Sequence, residues 1–159
     1  MNEKEKLNMI LDYKNIIQKL NEIILSISDE QLDFRPKSDY WTIREHIAHI
    51  LDCEIFGFTR YRKSIAEVNS RVEGFNQDPW KSNLDYSIMD VSKAAQLIEF
   101  LNEITISHLL TIINNDWTSY YINHPERGND NLEKLINRRI THTNEHIGYI
   151  KRNISLFIN

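Results

Sequence analysis

Apolar residues recur along this chain with the helical period of about 3.6, rather than the two-residue alternation of a strand. Four long stretches carry the pattern. In the first, about Asn2 to Ile27, Ile10, Ile17, Leu20, Ile24 and Ile27 share one helical face. The second, about Thr42 to Val68, repeats Ile43, Ile47, Ile50, Leu51, Phe58, Tyr61 and Ile65. The third, about Val91 to Asn114, repeats Ala94, Leu97, Ile98, Leu101, Ile104 and Ile112. The fourth, about Asn131 to Phe157, repeats Leu132, Ile136, Ile140, Thr143, Ile147, Ile150 and Ile154. Pro36, Pro79 and Pro125 fall in stretches without helical periodicity and separate the four. Two starts carry capping signals. Thr42-Ile43-Arg44-Glu45 has the capping-box form, with Thr42 as N-cap and Glu45 reaching back to its N–H. Asp130-Asn131-Leu132-Glu133 repeats that spacing, with Asp130 as N-cap. No segment shows sustained strand alternation, so no sheet is expected.

Four helices of this length predict an all-α four-helix bundle forming a single domain over residues 1–159. The connections are unequal. The gap between the second and third helices is roughly 22 residues, well beyond the 2 to 8 that join antiparallel neighbours. A loop that long can run the length of a bundle. The second and third helices are then parallel, which gives an up-down-down-up order with a long crossover. Phe75 and Trp80 in that loop suggest that it packs on the bundle.

Composition narrows the setting. With 159 residues the chain can bury a core without disulfides or a structural metal, so a metal here would be functional. Cys53 is the only cysteine, which excludes an internal disulfide and a cysteine-rich zinc motif. A free thiol and no secretory signal point to the cytoplasm. No apolar run approaches the roughly 20 residues that span a membrane. The net charge is −4 and basic residues are scattered, which argues against nucleic acid as a partner. A small-molecule substrate is the expected partner, and a homodimer is compatible with a bundle of this kind.

The fourth helix contains THTNEHIGYI, with His142 and His146 four residues apart. Both lie roughly 80 to 120° from the apolar centre of that helix. They share a strip at the flank of the core, where an i,i+4 pair can chelate one metal ion. The intervening residues are not those of HExxH, so the metalloprotease base is missing. A third ligand is available from the second helix, WTIREHIAHILDCE. There His49 points away from the apolar centre at Ile47, towards Cys53, Phe56 and Arg60. His46 lies more to the side and is expected to be an ordinary polar histidine near a helix start. His108 falls on the apolar stripe of the third helix, as a core histidine. His124 precedes Pro125 and is expected in a loop.

These residues resemble the DinB/YfiT-like superfamily. Trp41, Thr42, Glu45, His49, Ile50, Asp52 and Glu54 match its W-T-x-x-E-x-x-x-H-[LI]-x-D-x-E pattern. His142, Glu145, His146, Ile147 and Ile150 match a late H-x-x-x-H-[IL]-x-x-I. Asp116-Trp117 and His124-Pro125-Glu126-Arg127-Gly128 look like the lead-in to the family's last helix. The resemblance covers nearly the whole chain. It implies an up-down-down-up four-helix bundle and a divalent metal, zinc or nickel, held by His49, His142 and His146. It also implies one of several activities. Some members are transferases that use bacillithiol, mycothiol or related thiols, others are classed as hydrolases, and many have no known activity.

Three neutral imidazoles leave zinc or nickel with its full charge and an open position. Such a centre can lower the pKa of a bound water to about 7, or deprotonate a thiol co-substrate. The expected function is a metal-dependent S-transferase conjugating a low-molecular-weight, bacillithiol-like thiol to an electrophile. A metal-dependent hydrolase and a non-catalytic metal- or small-molecule-binding module remain open. Further candidates surround the proposed ligands. Cys53, four residues after His49, can lie near the metal without binding it. Glu54 sits on an apolar face and needs a buried partner. Asp52 and Glu145 could orient ligand histidines from behind. Arg60 and Tyr149 share the ligand strips and could meet an acidic substrate.

Overall fold

The structure, a computed structural model, describes residues 1–158. Four long helices form the bundle: α1 Glu3–Leu25, α3 Ile43–Ala66, α5 Val91–Thr111 and α6 Leu132–Ile158. Short helices α2 (Asp29–Asp33) and α4 (Gln77–Asn83) lie in the connections. Pro79 falls in the first turn of α4, where its missing N–H costs no helical bond. Among the described residues no helix is long and apolar enough to cross a membrane.

Caps fix the helix starts. The Thr42 hydroxyl accepts from the Glu45 N–H at 3.1 Å, and the Glu45 carboxylate accepts from the Thr42 N–H at 2.8 Å. Asn2 and Glu5 make the same reciprocal pair at α1. At α6 the cap is Asn131, whose side chain accepts from the Lys134 N–H at 3.0 Å. Asp130 is drawn away from the expected capping role by two arginines. Arg138 spans its two oxygens at 2.6 and 3.0 Å, and Arg127 reaches it at 3.2 Å.

Side-chain pairs give the helix directions. Lys6 near the start of α1 reaches the Ile113 carbonyl at the end of α5, so those two run antiparallel. The N-terminal ammonium pairs with Glu133, so α1 and α6 run parallel. Asn153 donates to the Trp41 carbonyl while Arg139 approaches Glu54, so α3 and α6 are antiparallel. Arg44 reaches the Met89 carbonyl just before α5, and Arg62 meets His108 near its end, so α3 and α5 are parallel. The order is up-down-down-up. Ile17, Leu20, Ile43, Ile47, Ile50, Ile98, Ile136 and Ile150 fill the centre with almost no exposure. Each such side chain contributes about 1.5–3 kcal/mol by leaving water.

Two expectations need correcting. A small three-stranded sheet caps one end of the bundle, where none was expected. β1 (Ser70–Arg71) runs parallel to β2 (Tyr121–His124), and β2 pairs antiparallel with β3 (Gly128–Asn131). Its strands are too short and polar to show an alternating pattern. His124 ends β2 and is buried, rather than lying in an open loop. The second correction concerns α5. Leu97 and Ile104 are 41% and 44% exposed, while Asn102 and Thr105 are buried. The helix is apolar on two sides, and the buried side is set by its neighbours. His108 is therefore exposed, beside Arg62 at 3.4 Å, and is no core histidine.

Candidate metal centre

The antiparallel contact of α3 with α6 brings two histidine pairs face to face. His49 Nε2 lies 3.1 Å from His142 Nε2. Two imidazole nitrogens bound to one tetrahedral zinc at 2.0–2.1 Å stand about 3.3 Å apart, so this pair already has a chelating bite. One turn away, His46 Nδ1 lies 2.9 Å from His146 Nδ1. The His146 ring centroid is 4.4 Å from that of His142 and 4.8 Å from that of His49. Trp41 packs its ring against His46 and His49 at 5.4 and 5.3 Å. Cys53 Sγ is 3.5 Å from His49 Nε2. Among the described residues, the donor atoms of His49, Cys53 and His142 form one set within 4.8 Å of one another. His146 adjoins that set through its ring.

The other candidates are placed differently. Glu54, 1% exposed, accepts from the Tyr13 hydroxyl at 2.7 Å, and its second oxygen lies 3.1 Å from Arg139 Nε. That approach is too bent for a hydrogen bond, so the two meet as an ion pair. Asp52 is buried and accepts from the Tyr86 hydroxyl, so it faces away from the imidazoles. Glu145 is exposed on the outer side of α6. Tyr149 is 45% exposed and stacks on His46 at 5.4 Å. His46 is 5% exposed, so it is not an ordinary surface histidine. The i,i+3 spacing from His46 to His49 matches the i,i+4 spacing from His146 to His142 across the antiparallel contact.

Arg139 is the residue that sequence reasoning missed. Its Nη2 lies 2.6 Å from His142 Nδ1. A guanidinium only donates, so Nδ1 accepts and the neutral ring carries its proton on Nε2. A metal at Nε2 has to displace that proton. The signal was present in the pairing: Glu54 needed a buried cation, and Arg139 lies three residues after the core Ile136.

Burial dominates the electrostatics. It holds His49 at about 4 and His146 and His46 at about 3, and it holds His142 at about 2 with Arg139 adding to the effect. All four imidazoles are therefore neutral, but the lone pair of His142 is taken up by Arg139 at Nδ1, so that ring offers Nε2 to a cation only as its proton leaves. Burial also pushes the Cys53 thiol up to about 11. A depressed folded-state pKa gives stability that is whole above the unfolded value near 6.5 and is lost as pH falls towards the folded value. Each histidine can withdraw up to about 1.4 kcal/mol per pH unit in that window. The metal-free protein is expected to lose at least 3 to 4 kcal/mol between pH 7 and pH 5, on the order of two such contributions. Urea melts at the two values check this, and equal stability would contradict it.

A cavity of about 220 Å3 opens beside His49, Cys53 and His142. Arg60, Arg127 and Arg138 also line it, and Phe56 and Phe75 stack in its lining at 4.7 Å.

The DinB superfamily model matches residues 13–150. The chain belongs to that superfamily. Its relatives include the "Putative metal-dependent hydrolase" of Oceanobacillus iheyensis, 26% identical over 141 residues, which cover 89% of this chain and 81% of that protein. A protein of the same description from Bacillus cereus is 23% identical over 141 residues, 89% of this chain and 80% of its own. Among solved structures, YfiT from Bacillus subtilis superposes with a TM-score of 0.86 at 21% identity, over 96% of this chain and 87% of that one. It is described as "a probable metal-dependent hydrolase with an unusual four-helix bundle topology". This DinB-like chain has that bundle, with a histidine-rich cleft between α3 and α6.

Proposed function

We propose that this protein is a divalent-metal-dependent enzyme acting on a small molecule, with His49, His142 and His146 holding zinc or nickel. The observation that carries the reading is the 3.1 Å approach of His49 Nε2 and His142 Nε2 beside a cavity. Bound there, a divalent cation would supply a Lewis acid with an open position, at which a thiol or water loses its proton near neutral pH. Burial, with Arg139 adding to it, keeps His142 neutral, and Trp41 covers the imidazoles from one side. A reducing cytoplasm fits the free, buried Cys53.

Of the reactions open to such a centre, we favour S-transfer from a low-molecular-weight, bacillithiol-like thiol. Hydrolysis at such a centre is helped by a carboxylate base, as the Glu of HExxH helps a zinc-bound water. The buried carboxylates nearby are engaged, Glu54 with Tyr13 and Arg139, and Asp52 with Tyr86. A free thiol, at about 8.5, starts much closer to neutrality than free water at 15.7, so the same cation has less to supply. Hydrolysis is the second reading, supported by the names of the relatives.

The test is direct. Zinc- or nickel-loaded protein is mixed with 1-chloro-2,4-dinitrobenzene and a thiol, and separately with p-nitrophenyl acetate and no thiol. Metal- and thiol-dependent adduct formation is the expected result. Ester cleavage alone selects hydrolysis, and neither product leaves a binding module. Cys53→Ser is expected to keep its metal content near wild type. Loss of metal in that variant would make Cys53 a ligand and the centre a closed one.

A further inference from the structure

The cavity beside the histidines is positively charged in a chain whose net charge is −4. Arg60, Arg127, Arg138 and Arg139 all line it. Arg138 and Arg127 share one carboxylate, Asp130, and Arg139 is matched by Glu54. Glu126 stands at the exposed rim. Four guanidiniums thus face three carboxylates, and the unmatched one is Arg60. Among the described residues no carboxylate lies within ion-pairing distance of it. Arg60 donates to the Glu73 carbonyl at 2.8 Å and lies over the Phe56 ring at 5.6 Å. Those two contacts fix its plane and leave other N–H groups of its fork free.

Its position relative to the histidines is set by the helix. His49, Cys53, Phe56 and Arg60 follow at spacings of four, three and four on one strip of α3. The Cα atoms of His49 and Arg60 are then about 16 Å apart along the axis. Both side chains lean towards the helix N-terminus, and the longer arginine arm recovers only a few ångströms of that separation, which leaves on the order of 12 Å to the imidazoles. One spare positive charge matches a monoanion better than a doubly charged phosphate, and a guanidinium fork matches a carboxylate.

We propose that the cavity takes a small acid, its carboxylate on Arg60 and its reacting end, about nine bonds away, at the histidines. This rests on the reading above in taking the histidines as the reacting end. Phe56 and Phe75 pack the connecting chain, and the local positive charge draws the acid into an otherwise acidic protein.

The probes are 9-mercaptononanoate and its primary amide, which differ only in charge. They are titrated into the metal-free protein, following the Arg60 Nε–H and Trp80 indole resonances. Trp80 reports because it packs against Phe56 at 5.3 Å. The acid is expected to bind at least tenfold more tightly than the amide. Arg60→Gln should equalise the two, and Arg60→Lys should keep part of the difference. Equal affinities in the wild type, or a preference that survives Arg60→Gln, would overturn the proposal. Zinc is then added in a separate arm, where both probes should tighten by a similar factor. Failure of zinc to tighten either would count against the metal reading, while the role of Arg60 is decided by the metal-free titration.

Discussion

Alanine at His49, His142 or His146 is expected to lower zinc affinity by at least 100-fold while the bundle stays folded. The loss should exceed the ~10–100-fold that removal of a supporting partner costs, because each change deletes a donor atom. Folding should survive because the core of Ile47, Ile98, Ile136 and Ile150 is closed without any cation. The three positions are not equivalent. His49 and His142 already stand at a chelating separation, whereas His146 has its Nδ1 on His46. For His146 to offer Nε2 as a lone pair, its proton must sit on Nδ1, where His46 Nδ1 stands 2.9 Å away to accept it. His46 then carries its own proton on Nε2, a buried atom without a partner. His46→Ala should therefore cost an intermediate ~10–100-fold, the amount typical of a partner that orients a ligand. The exposed His108 should be neutral when replaced. Competition titrations against a chromogenic chelator, with circular dichroism as the fold control, measure all five. Undiminished affinity in His146→Ala, paired with metal loss in Cys53→Ser, would replace His146 by Cys53 in the ligand set.

Much of the fold and part of the candidate site are legible in the sequence, and the limits have physical causes. Helices show in sequence because one apolar stripe repeats over five to seven turns, and the Thr42 box marks a start with two reciprocal bonds. The parallel pairing of α3 and α5 follows from chain reach alone. The sheet does not show, since its strands hold two and four residues and include the polar run Gly128–Asn131. The buried side of α5 is ambiguous because Leu97 and Ile104 form an equally apolar outer stripe. At the site, i,i+4 spacing announces His142 and His146. The partnership of His46 with His146 depends on the register of two antiparallel helices, which no local pattern encodes. Asp130 shows the same limit from the other side. Its sequence neighbours suggest a cap, and Arg138, a full two turns on, determines its role.

The buried triad behind the centre should dominate stability in the way its sequence position could not announce. Glu54→Gln is expected to destabilise the metal-free protein by about 3–5 kcal/mol, the usual consequence of leaving one member of a buried ion pair uncompensated. The change is isosteric, so no cavity contributes, and the amide oxygen can still accept from Tyr13. What is lost is the charge opposite Arg139, which is 8% exposed and cannot shed its proton. Adding Arg139→Met should restore at least 2 kcal/mol of that, because buried ion pairs are commonly replaceable by apolar side chains of similar volume. A single variant within about 1 kcal/mol of wild type in urea melts, or a double variant no better than the single, would show that the pair is not what closes this layer. The double variant also separates scaffold from site. Arg139 sits on His142 Nδ1 and depresses its basicity, so Arg139→Met should raise the His142 pKa even where folding is regained. Restored stability with an altered His142 titration would establish that one side chain ties the packing of α3 and α6 to the protonation of a candidate ligand.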